Sequence, residues 1–160
     1  MDYERQIARR LHQEHLASLG LLARLEAAIA RPKAPAAGDR AWADLARATC
    51  AAFAEDVERH FAFEEAELFP RLAEAGEPGI GLLLSEEHET IRACGTALAT
   101  LLRGSLADAA PSWSTLRTTG LEYVERMQGH IQKEEMGLLP MIEDLVDAET
   151  DATLALAYAA

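Results

Sequence analysis

Apolar side chains recur at three- and four-residue steps through four stretches of the chain. The first carries Ile7, Leu11, Leu19, Leu22, Leu25 and Ile29; the second Trp42, Leu45, Phe53, Val57, Leu68 and Leu72; the third Leu84, Ile91, Leu98 and Leu102; the fourth Leu116, Val124, Met127, Leu138, Met141 and Leu145. That period draws one apolar stripe along each of four helices. No stretch alternates apolar and polar residues with the period of two that a half-buried strand needs, so the fold class is all-α. Proline and glycine break the pattern at 31–39 (Pro32, Pro35, Gly38), 74–81 (Gly76, Pro78, Gly79) and 104–112 (Pro111). Four long helices with short connections pack most simply as an up-down-up-down four-helix bundle, here spanning residues 1–146. The C-terminal tail, 147–160, is small and weakly patterned, and reads as a short fifth helix or a frayed end.

Four of the five histidines stand where the stripes call for an apolar group. His15 lies four residues after Leu11 and four before Leu19; His60 follows Val57 by three, His88 follows Leu84 by four, and His130 follows Met127 by three. Each helix thus contributes one inward imidazole. Two of them are followed at i+4 by a glutamate on the same helix face, His60 by Glu64 and His130 by Glu134. Residues 60–70 read HFAFEEAELFP and residues 130–140 read HIQKEEMGLLP, so the frame H-x-x-x-E-E-x-x-L-x-P occurs twice. A second echo joins Glu14-His15 to Glu87-His88, and the chain reads as two similar helical hairpins facing each other.

Two carboxylates buried side by side are costly unless a cation neutralises them or one takes up a proton. A metal pair resolves this: two histidines to each metal and Glu64 and Glu134 bridging both give four protein bonds per metal. Positions remain for an oxo or hydroxo bridge and for a small exogenous ligand. Imidazole with carboxylate suits iron, and manganese and zinc accept similar donors. A single inward histidine is more often a satisfied core residue than a ligand. Four of them, one per helix, with a doubled H-x-x-x-E frame, reverse that preference. His12 falls near the edge of the first stripe and is expected at the rim, with auxiliary ligation or proton handling as the lesser role. Glu14, Glu65, Glu87 and Glu135 sit about a quarter turn from the ligands. They default to the solvated face, with orientation of an imidazole N–H as the alternative. Pro70 and Pro140 are expected to kink their helices or end them shortly before, while Trp42, Trp113 and Tyr123 are expected to pack.

A length of 160 residues suits one domain with a sizeable core. The formal charge of -12 repels phosphate backbones and anionic lipid, which argues against nucleic acid and membrane surfaces as partners. No apolar run approaches a membrane span, and the opening MDYERQIARR lacks the apolar core of a signal peptide. Cys50 and Cys94 lie inside helical patterns and read as small buried hydrophobes without a disulfide. A cytoplasmic location follows as the expectation, with a monomer or homodimer as the assembly.

The doubled frame and the four inward histidines resemble the hemerythrin-like, HHE cation-binding family, over a span from about Ile7 to Leu145. The resemblance implies a bundle holding two non-haem iron ions on His15, His60, Glu64, His88, His130 and Glu134, with the two glutamates as bridges. The chain departs from oxygen-carrying hemerythrin, which has a second histidine four residues from the first in the third helix; the flanking positions here are Leu84 and Arg92. It also has an aspartate five residues after the last histidine, where this chain has Glu135 and places Glu134 at i+4. The ferritin type of di-iron bundle uses Glu-x-x-His, and none of the residues three before the four histidines is glutamate. The set is closer to bacterial di-iron proteins of iron-sulfur cluster repair and nitric oxide response, and to hemerythrin-like sensors. The implied function is a di-iron protein that binds or reacts with oxygen, nitric oxide or peroxide as sensor, scavenger or oxygen binder. An iron store or donor for cluster repair stands second, because those repair proteins usually carry a cysteine-bearing N-terminal domain ahead of the first helix. A structural bundle with a redox-inert metal site stands third. No nucleophile with a paired base and no substrate pocket is legible, which leaves enzymatic turnover open.

Overall fold

The computed structural model describes residues 2–107 and 110–160, and among these there is helix and loop but no strand. Helix α1 is Gln6–Ile29, α2 covers residues 40–74, α3 is Pro78–Ser105, α4 covers residues 113–145 and α5 is Ala148–Ala159. The first four run up and down as the apolar stripes require, α1 against α2 and α4, and α3 against α2 and α4. Of the break read at 104–112, Asp108 and Ala109 lie outside the described residues.

Side-chain caps and backbone geometry set the ends. Asp39 accepts the Trp42 N–H at 3.0 Å to start α2. At the other end of α2, Gly76 takes φ of 96°, a left-handed conformation that glycine reaches without penalty. There the Glu77 N–H returns to Leu72 O at 2.9 Å and closes the helix. Helix α1 has no cap of its own. Instead Asp151 of α5, buried, accepts the N–H groups of Gln6 and Ile7 at 2.9 and 3.0 Å, and Glu143 accepts those of Glu4 and Arg5 at 3.0 and 2.8 Å. Of the two readings of 147–160 the structure has the helix. It docks on α1 through Asp151, Leu154 and Tyr158, all buried.

The stripes are buried nearly as read, with Leu19 and Met141 only half-covered and Leu145 exposed at 42% where α4 ends. Pro70 and Pro140 do not end their helices. The helix runs on to Glu74 and Leu145, and the disturbance is taken up just upstream as a π-turn, Glu64–Leu68 in α2 and Glu134–Leu138 in α4. The Phe69 and Leu139 N–H groups bond to the carbonyls of Glu64 and Glu134, five residues back. A third π-turn, Ala52–Val57, wraps Phe53, whose ring lies where a side chain at Gly95 would stand: a Cβ there would sit 2.2 Å from Phe53 Cε2. Two apolar clusters fill the bundle. One gathers around Leu25, Trp42, Leu98 and Met127, the other around Ile7, Leu68, Leu84 and Ile142. The layer between them is polar.

Candidate metal centre

That layer consists of His15, His60, Glu64, His88, His130 and Glu134, every one buried, with Glu64, His88 and Glu134 wholly inaccessible to solvent. All six residues read from the sequence converge. His15 Nε2 lies 2.6 Å from Glu134 Oε2, and His60 Nε2 is 3.4 Å from the same oxygen. Glu134 Oε1 meets His130 Nε2. Glu64 faces both halves, its Oε1 3.2 Å from His60 Nε2 and its Oε2 3.3 Å from His88 Nε2. Two groups of donor atoms, each within 4.8 Å of one another, result: Glu64, His88, His130 and Glu134 in one, His15, His60 and Glu134 in the other. Phe61 stacks flat on His88, ring centroids 3.7 Å apart, and seals that side. The sequence reading missed it, although its place directly after a ligand-like histidine on an apolar face was available.

The neighbouring acids do not face bulk water. Each grips an imidazole on the next helix. Glu14 of α1 lies 3.1 Å from His60 Nδ1 of α2, and Glu65 of α2 lies 2.6 Å from His88 Nδ1 of α3. Glu87 of α3 lies 2.9 Å from His130 Nδ1 of α4, and Glu135 of α4 lies 2.5 Å from His15 Nδ1 of α1, closing a ring. All four are only partly accessible, and the alternative role held open for them is the one observed. Each acid is itself held from outside. Tyr158 donates to Glu14, which also meets Arg59 at 3.2 Å; Arg92 bonds Glu65 at 3.0 and 3.2 Å; Lys133 meets Glu87; Tyr3 donates to Glu135 at 3.2 Å. His12 stands at the rim as expected, its Nδ1 2.9 Å from Glu135. Arg92, one of the two residues four positions from His88, supports Glu65 and does not enter the centre.

A carboxylate can only accept, so each Nδ1 carries the proton and each Nε2 turns a lone pair inward. The centre is then made of acceptors facing acceptors. His88 Nε2 and His130 Nε2 stand 3.2 Å apart. Both oxygens of Glu64, Oε1 of Glu134 and Nε2 of His15 have no well-directed hydrogen-bond partner among the described residues. Such a cluster demands positive charge, from protons or from metal. The proton affinities show the demand. Burial pushes the His60 pKa down, but Glu64, with bonds to Glu134 and Glu14, outweighs it and raises that pKa well above the usual 6.5. Burial pushes Glu134 up, yet the closeness of His130, His15 and His60 holds it well below the usual carboxylate range. The chemistry of the donor set fits a metal, and the six side chains that the sequence nominates are the ones in place to hold it.

A cavity of about 390 Å³ opens between α1 and α2 and ends on His15, His60 and Glu134. Cys50 and Cys94 are free; Cys94 is buried as read, Cys50 only half-buried, and no helix among the described residues is long and apolar enough to cross a membrane.

A sequence model of the hemerythrin HHE cation-binding domain matches residues 6–154. No curated protein and no solved structure matches the chain. A buried cluster of imidazoles and carboxylates inside a helical bundle is what cation binding asks for, and with a match over nearly its whole length the chain belongs to the hemerythrin family of HHE cation-binding domains.

Proposed function

We propose that the protein holds two iron ions, one on His15 and His60 and one on His88 and His130, with Glu64 and Glu134 between them. On this reading it binds or reacts with oxygen, nitric oxide or peroxide as a sensor, scavenger or oxygen binder. The observation that carries the reading is the sharing of carboxylates by two donor groups: Glu134 belongs to both, and Glu64 turns one oxygen toward each histidine pair. When bound, iron supplies reversible electron transfer and a coordination position that protein donors leave free. The chain supplies the rest. Glu14, Glu65, Glu87 and Glu135 keep the imidazoles in one tautomer and orientation, and such partners typically matter 10- to 100-fold in metal affinity. The apolar clusters above and below exclude water, and the α1–α2 cavity gives a small molecule a way in.

The test is metal content joined to an optical spectrum. Anaerobic loading with ferrous iron is expected to give two irons per chain, and admission of oxygen to give ligand-to-metal charge-transfer bands. Two irons bound with a featureless spectrum would overturn the redox function, and a single iron per chain would overturn the paired site.

A further inference from the structure

The α1–α2 cavity is too large for the ligands just proposed. A diatomic molecule occupies about the space of one water, roughly 30 Å³ in the liquid, whereas the cavity holds about 390 Å³. That is within the ~300–1,000 Å³ range of pockets that take organic molecules. Its polarity is graded along its length. The walls are Leu21, Ala52, Val57, Phe61, Met127 and Ile131, and the inner end is the His15, His60 and Glu134 edge of the centre. Small residues hold the space open: exposed Ala17 and half-buried Ser18 on α1 face Ala52 on α2, which lies in the first π-turn. At the mouth, Arg59 faces two carboxylates, Glu14 at 3.2 Å and Asp56 at 3.8 Å, so no free positive charge there selects a ligand. The place that calls for a charged or polar head is the inner end.

We infer that the cavity binds an organic molecule with an apolar body of about six to ten carbons and a terminal carboxylate. The head meets the His15–His60 edge and the body lies along the α1–α2 walls. The inference rests on the metal-site reading, because the head needs the cation that the six donors hold.

A homologous series of n-alkanoates, acetate to octanoate, titrated calorimetrically into the metal-loaded protein, tests it. Each methylene buried in an apolar wall is worth about a fourfold gain in affinity, so hexanoate, four methylenes longer, is expected to bind roughly 250-fold more tightly than acetate. Ala17→Phe, at an exposed position that folding tolerates, is expected to abolish that gain while the equilibrium affinity for azide, small and anionic, is unchanged. In the zinc-loaded protein, hexanoate chain protons are expected to show magnetisation transfer to the Met127 methyl group. A flat series with azide binding retained overturns the cavity assignment and leaves the metal site standing. A chain-length gain that Ala17→Phe does not touch, or no transfer to Met127, overturns the location. Failure of azide and of every alkanoate to bind a fully loaded protein overturns the open coordination position of the proposed function as well.

Discussion

Helix α5 caps the opposite end of the chain, and removing one carboxylate measures what that is worth. Asp151 is buried and accepts two N–H groups of the first turn of α1, from Gln6 at 2.9 Å and Ile7 at 3.0 Å. In Asp151→Ala the Ile7 N–H is left inside the protein with no acceptor, a cost of about 1–3 kcal/mol. Gln6, nearer the surface, rehydrates and loses about 1 kcal/mol. The negative charge at a helix N-terminus contributes a further ~0.3–1 kcal/mol. The sum is about 3 kcal/mol, which for a chain of this size lowers the melting temperature by roughly 6–12 °C. Asp151→Asn retains one acceptor oxygen and sets an amide N–H against the other donor, so its loss is expected to fall between wild type and alanine. Calorimetry on the metal-loaded protein reads the transition, and amide hydrogen exchange at Gln6 and Ile7 reads the cap directly. A melting temperature for Asp151→Ala within ~2 °C of wild type, with both amides still protected, would refute the account.

Four further outcomes follow from the centre and the core. Chelating the metal is expected to lower the melting temperature by roughly 10 °C, since a ligand at about a thousand times its Kd adds ~4 kcal/mol; an unchanged transition in demetallated protein contradicts the coupling of metal to folding. Glu64→Ala removes the carboxylate that faces both histidine pairs and is expected to leave fewer than two irons per chain by elemental analysis; two tightly held irons would sink the bridging role. Gly95→Ala drives a methyl group to 2.2 Å from Phe53 Cε2, costing about 1–3 kcal/mol, and Phe53→Leu in the same chain is expected to recover most of it in urea unfolding.

The fourth concerns pH. Burial pushes the carboxyls of Glu14, Glu65, Glu87 and Glu135 up, but their bonds to the histidines and to Tyr158, Arg92 and Lys133 outweigh it, so each stands below the usual 4.5. Groups with depressed folded values stabilise fully above their unfolded value and lose that contribution as pH falls through the folded one. His60 and His130, raised above 6.5, act in the opposite sense, adding stability below that value that disappears as pH rises through their folded values. At acid pH they are charged in both states and do not mask the carboxylates. The urea midpoint is therefore expected to fall steadily between about pH 5 and pH 2, and a flat acid limb would contradict the ring.

The four stripes were readable because burial repeats with the helical period, and the six central residues because each breaks a stripe at an inward position. The ring of acids was not. Glu14, Glu65, Glu87 and Glu135 point about a quarter turn away from the centre on their own helices, and only the adjoining helix reveals their partners. The π-turns were hidden for another reason. They are shifts of backbone bonding with no side-chain period, although the fixed distance from Glu64 to Pro70 and from Glu134 to Pro140 was the trace of two of the three. Helix α5 was obscured by alanine on most faces and by a carboxylate, Asp151, at the first of its three anchoring positions.

The ring joins its own ends. Three of its links connect helices that follow one another along the chain, but the last, from Glu135 to His15, spans 120 residues. No partly synthesised chain can make that link, since His15 leaves the ribosome long before Glu134 and Glu135 do. Metal captured during translation would therefore meet an unsteadied first imidazole, and secure loading is deferred until Glu135 has been made.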